Sequence, residues 1–270
     1  MFKTRLISGI ILVIIALATI ISGGPVLFAT LLGVSWIGMQ EFYKATGVRK
    51  DGWGCLEIIS YVGITIYYLA IWLLPAAFHT PALVLSVLLL MAVYVFTYPK
   101  YQTSQIVATL FGFVYVGVML SYVFQTRMLD GGAFLVWLIF LCSWGCDTCA
   151  YCVGKLIGKH KMSPKLSPHK SVEGAIGGVV GAALLTALYS FIFKDAMGLA
   201  GNEIWLLAGI SAIGALISMV GDLTASAIKR NYDIKDYGKL IPGHGGILDR
   251  FDSVIFTAPI IYYLAANFMK

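Results

Sequence analysis

Three aspartates and a dense set of cations are the residues of this chain whose types and spacing suit chemistry. Asp147 and Asp222 interrupt long apolar runs. Asp249 sits in the one long polar stretch, residues 226–252, with Ser226, Lys229, Arg230, Lys235, Asp236, Lys239, His244 and Arg250. An ionised Asp inside hydrocarbon costs at least about 2.5 kcal/mol on insertion scales, so such a residue normally faces a cavity, a partner or an ion. Carboxylates on two helix ends and a loop suit Mg2+, which takes one or two carboxylates together with waters and substrate phosphates. Lys, Arg and glycine backbone N–H groups suit the phosphates themselves. Asp222, Asp249 and Asp147 are therefore the candidate Mg2+ ligands, and the inventory points to metal-assisted phosphoryl or nucleotidyl transfer. Each acid taken alone also fits a structural ion pair; two at one depth beside a third weigh against that.

The elements that position these residues are membrane helices. With 59% hydrophobic and 12% charged residues in 270 and a mean hydropathy of +0.87, the chain departs far from a soluble domain. A bilayer core about 30 Å thick needs about 20 apolar residues per helix. That ruler predicts an all-α polytopic protein with about nine spans: 6–22, 25–39, 56–74, 82–98, 106–124, 134–153, 175–193, 204–228 and 254–269. The first run imitates a secretory signal but is read as a retained helix. Five spans fall in an N-terminal region, 1–130. The other four form a C-terminal catalytic region, 131–270, with polar loops 154–173 and 229–253.

With the N-terminus on the cytoplasmic side, only Arg127, Lys194 and Lys270 of the 19 Lys and Arg residues fall on the opposite side. This asymmetry supports both the span count and a cytoplasmic N-terminus, and places both polar loops in the cytoplasm, at the plasma membrane if the source is bacterial. It also accounts for many loop cations without any chemistry, as does attraction to an anionic membrane surface. The net charge of +6 implies no nucleic-acid partner, since no recognition-helix pattern or aromatic-interleaved basic strand accompanies it.

Asp222 lies six residues before the end of its predicted span and Asp147 six before the end of its own. At about 1.5 Å per residue both sit roughly 9 Å deep from the same side. Asp222, Ser226 and Lys229 fall within about 60° of arc, forming a polar stripe from inside the bilayer to water, and Asp147 and Tyr151 make a similar stripe.

These residues also carry a resemblance. Ser226-x-Ile228-Lys229-Arg230, four residues, Lys235-Asp236-x-Gly238, then Ile241-Pro242-x-His244-Gly245-Gly246-Ile247-x-Asp249-Arg250-Phe251-Asp252 resembles the signature of the phosphatidate cytidylyltransferases, the CDP-diacylglycerol synthases. Asp147-x-x-Ala150-Tyr151-x-x-Gly154 and Ser167-Pro168-x-Lys170-Ser171-x-Glu173-Gly174 extend the likeness, with Ser171 where the family often has Thr. The specific likeness covers 147–252; the first five spans match only in being hydrophobic.

The resemblance implies a membrane enzyme that condenses CTP with phosphatidic acid to CDP-diacylglycerol and pyrophosphate with Mg2+, and a homodimer. It puts Asp222 and Asp249 on the metal, with Asp147 a ligand or a nearby acid, and Lys229, Arg230 and Lys235 on the triphosphate. Lys170 with Ser167 suits either the lipid phosphate or the nucleotide, and Ser226 and Arg250 complete the substrate-binding set. Gly245 and Gly246 would let the loop approach a phosphate and His244 would hydrogen-bond it, although the same run reads equally as a glycine-rich turn with a surface His. Arg250 and Asp252 equally suit a structural pair.

Other features carry less. Cys142, Cys146, Cys149 and Cys152 lie along one helix and cannot converge on one metal; they read as packing residues, and with Cys55 imply no disulfide framework. Gly174/Gly178 and Gly177/Gly181 repeat a spacing that lets helices approach closely. A CDP-alcohol phosphotransferase or prenyl-phosphate transferase would show D-G-x2-A-R or D-D-x2-D, and neither run is present. An anion or proton transporter would hold its acids near the midplane, whereas these sit toward one face.

Overall fold

The computed structural model describes residues 2–49, 52–243 and 245–268. Among them the apolar runs fold as nine long helices: α1 Phe2–Ser22, α2 Gly24–Ala45, α3 Cys55–Leu73, α4 Ala76–Phe96, α5 Thr103–Met128, α6 Gly132–Ile157, α7 Val172–Ile192, α8 Gly201–Asn231 and α9 Leu248–Phe268. Eight of these, α2 to α9, are long and apolar enough to cross a membrane, and α1 supplies a shorter apolar stretch, Ile7–Ser22. The chain is thus an all-α, multi-pass membrane protein. Several helices outrun the apolar ruler because a helix needs no hydrophobicity once started: α8 continues to Asn231 and α6 to Ile157, carrying polar side chains beyond the hydrocarbon.

The polar stretch after α6 has structure of its own. Strands β1 Lys161–Ser163 and β2 Ser167–Ser171 pair antiparallel, with Lys161 opposite Ser171 and Ser163 opposite Ser167. Glu173 fastens the hairpin, accepting the amides of Lys159 at 3.1 Å and His160 at 3.2 Å and pairing with His160 Nδ1 at 2.6 Å. The Ser171 hydroxyl caps α7 by accepting the Gly174 amide at 3.1 Å, the usual role of Ser at a helix start.

The chain divides into two compact units, residues 1–125 with 232–250, and residues 126–231 with 251–270. The stretch 232–250, grouped by sequence with the C-terminal helices, therefore folds with the first unit. That unit is held by large buried side chains: Phe28 packs on Trp72 at 4.5 Å and on Phe124 at 5.7 Å between ring centroids, and the Ser35 and Tyr68 hydroxyls share a 2.8 Å hydrogen bond. Arg49 pairs with the buried Glu57 at 3.2 Å.

In the second unit small residues do the packing. A methyl added at Gly178 would lie 2.9 Å from Cys146 Sγ and 3.0 Å from Ala150 Cβ, and one at Gly177 would meet Val153 at 2.5 Å. The glycine spacing on α7 therefore lets it lie directly against α6, and Cys146 and Cys149 pack into the glycine rows. Across α8, the Ser211 hydroxyl donates to Ala182 O, accepts from Thr186 at 2.8 Å and lies 3.2 Å from Cys142 Sγ. Gly178→Leu is expected to drive the two helices apart and cost about 3 kcal/mol or more, the upper end of overpacking effects. The check is the midpoint of heat-induced loss of the monodisperse peak in size-exclusion chromatography.

Candidate active site

The second unit gathers an ionic cluster from α6, β2, α8 and α9. Asp147 follows a π-helical turn, Leu141–Gly145, in α6; such turns re-aim the residues after them and recur at functional sites. Lys170, at the end of β2, donates its ammonium to Asp222 Oδ2 in an ion pair that leaves about a quarter of each side chain exposed. Asp147 Oδ2 accepts from the Ser253 hydroxyl at 3.3 Å. Asp252, 8% exposed, lies within electrostatic reach of Asp222, Lys229 and Asp147, and its own carboxylate accepts the Ser253 amide at 2.8 Å. Three acids and two bases thus share one neighbourhood. α8 comes so near α9 that a methyl on Gly221 would lie 2.9 Å from Asp252 O.

A cavity of about 560 Å³ opens beside the cluster, lined by Asp147, Tyr151, Ser167, Lys170, Met219 and Asp222 among others. Its two acids face a cation that can exchange a carboxylate for a phosphate, and tyrosine and methionine give it apolar wall. Among the described residues no three His, Cys, Asp or Glu side chains are set to enclose an ion. Mg2+ needs only one or two carboxylates when phosphates and waters complete its shell, so Asp222 with Asp147 or Asp252 is a donor set that fits.

In the first unit Asp249 occupies the opening turn of α9, 6% exposed, and its Oδ2 accepts the amides of Tyr237 at 2.8 Å and Gly246 at 2.9 Å. Gly245 takes φ +89°, a left-handed value that favours glycine, where Ile241 N donates to Gly245 O at 2.9 Å and closes the turn. Glycine here serves the turn, and the Gly246 amide is engaged by Asp249. Glu41, from the end of α2, accepts Ile247 N at 3.1 Å and Leu248 N at 2.9 Å.

The remaining candidates sit as follows. Ser226 and Lys229 are half-buried along α8, whereas Arg230 and Lys235 are exposed; Arg250 is half-buried, and His244 lies outside the described residues. Asp147, Asp222 and Lys170 stand out in the sequence; Asp252 reads there equally well as half of a structural pair with Arg250, and Ser253 and Glu41 give no signal. An acid that ends the motif just before an apolar run is the signal for Asp252. Glu41 was hidden because the second span was ended at residue 39.

Fold and cluster define a multi-pass membrane protein with an ionic site suited to phosphate chemistry. Residues 3–268 match the profile of the Cytidylyltransferase family, and the chain belongs to that family. It is 33% identical over 266 residues to the phosphatidate cytidylyltransferase of Staphylococcus saprophyticus, covering 97% of this chain and 98% of that one. The enzymes of the same name from Synechocystis and Bacillus subtilis are 33% and 32% identical, covering 96% and 98% of this chain and 94% and 98% of theirs. The likeness therefore takes in the first five helices, which by inspection matched only in hydrophobicity.

Proposed function

We propose that this chain condenses CTP with phosphatidic acid, yielding CDP-diacylglycerol and pyrophosphate. A phosphate oxygen of the lipid attacks the α-phosphorus of CTP, the bond to the β-phosphate breaks, and pyrophosphate leaves. Both reactants are anions, so the barrier is dominated by their repulsion and by charge on the leaving group. Lys170, beside a cavity with apolar wall, is placed to hold a phosphate by exchanging its Asp222 partner. Lys229, with Arg230 and Lys235 further along the chain, suits the triphosphate. Asp222 with Asp147 would hold Mg2+, which when bound neutralises the phosphates. Ser253 keeps the Asp147 carboxylate oriented, and the motif assigns Asp249 to the same chemistry. No protein base is required, because a phosphate monoester is already largely ionised near neutral pH.

The observation that carries this reading is the Asp147–Lys170–Asp222 grouping around a cavity in a chain that matches its relatives over 97% of its length. The reading includes a cytoplasm-facing site, for which the distribution of Lys and Arg is the support, and a homodimer, for which the family resemblance is. Purified protein in mixed micelles with labelled CTP, phosphatidic acid and Mg2+ is expected to move label into the organic phase, and EDTA to stop it. Label that stays in the aqueous phase under saturating substrate would refute the assignment.

A further inference from the structure

Glu41 is a nearly buried acid, 7% exposed, at the end of an apolar helix, and its two oxygens are spent on the amides of Leu248, which opens α9, and of Ile247 just before it, more than 200 residues away in sequence. Amides at a helix start have no partner within the helix, and a carboxylate there also meets the positive end of the helix dipole. Helices are usually capped by a residue next to them in sequence; this one is capped from another helix. The next acid along, Asp249, takes the amides of Gly246 and Tyr237. Two carboxylates thus hold four amides, at residues 237, 246, 247 and 248, and fix the course of the loop that leads into Asp249.

The glycines nearby point the same way. A methyl on Gly238 or Gly246 would run into the Glu41 carboxylate, and neither residue has a positive φ, so each lacks a side chain for want of room rather than for its backbone angles. Tyr237, between these elements, packs against Phe42, the neighbour of Glu41, with ring centroids 6.4 Å apart. Two glycines of the polar motif are therefore shaped around an acid outside it.

We infer that Glu41 is a positioning residue for the transfer reaction, fixing the 246–248 turn and through it the aim of the Asp249 carboxylate. The inference rests on the reading in which Asp249 serves the chemistry. A role in stability alone would lower the melting temperature and leave turnover of the folded protein unchanged. Positioning predicts a selective loss of kcat.

The test uses the full-length protein in mixed micelles, comparing Glu41→Ala, Glu41→Gln and Asp249→Asn, and Gly246→Ala in the wild-type and Glu41→Ala backgrounds. Glu41→Ala is expected to lower kcat about 10- to 100-fold, the range for residues that orient a functional group, with KM for CTP little changed and normal elution. Glu41→Gln, which keeps one acceptor oxygen, should lose less. Gly246→Ala should impair the wild type but add little once Glu41 is Ala, because the obstacle is gone. Wild-type kcat in Glu41→Ala beside an inactive Asp249→Asn would overturn the inference and leave the Asp249 assignment standing. A fully active Asp249→Asn would overturn both. Equal harm from Gly246→Ala in the two backgrounds would also count against it. Should Glu41→Ala fail to fold, wild-type kcat in Glu41→Gln overturns it.

Discussion

Asp222→Asn is expected to reduce turnover about 10³-fold while leaving the protein folded. Losing one carboxylate that neutralises transferring phosphates removes several kcal/mol of transition-state stabilisation, and each 1.36 kcal/mol is tenfold in rate. Folding should barely respond. The Lys170–Asp222 pair is partly exposed, and such pairs contribute less than about 1 kcal/mol. The variant also leaves two acids, Asp147 and Asp252, facing two bases, Lys170 and Lys229. Lys170→Met breaks the same pair in the opposite sense, leaving three acids to repel one another with one base near them, and should melt at the lower temperature of the two. Thermal unfolding in detergent alongside initial rates separates the effects. Near-wild-type turnover in Asp222→Asn would remove this carboxylate from the site.

The second large effect is expected at Asp249, where two substitutions divide charge from architecture. The amides of Tyr237 and Gly246 both go to one oxygen, Oδ2. An Asn carbonyl placed there can keep these two hydrogen bonds, so Asp249→Asn should retain them while losing the charge. Asp249→Ala strands two amides in a buried place, at about 1–3 kcal/mol each. If the charge serves the reaction, both variants lose activity by at least about 100-fold, in line with loss of an electrostatic group, but only Ala should expose 232–250 to limited proteolysis. An active Asp249→Asn beside an inactive Asp249→Ala would make this aspartate a fastener of the loop and nothing more.

Much of this could be read from the chain because a membrane imposes a simple rule. Each expected span coincides with a helix, since a run of apolar residues long enough to cross has no alternative to satisfying its amides internally. Acids inside such runs stand out for the same reason, which is how Asp147 and Asp222 were found. Lys170 was recognised by its motif, while its pairing with Asp222 depends on the hairpin 161–171, too short and polar to leave a periodic signal. Glu41 and the 232–250 loop were beyond reach for another reason: a carboxylate that caps a distant helix is a long-range hydrogen bond, and nothing local in either segment announces the other. In the sequence the glycines of the motif suggest a loop backbone open to a phosphate, whereas two of them make room for that one side chain.

The Lys170–Asp222 pair has a consequence for how the chain is made. Lys170 leaves the ribosome 52 residues ahead of Asp222, so when α8 enters the bilayer its aspartate finds a counter-charge already waiting.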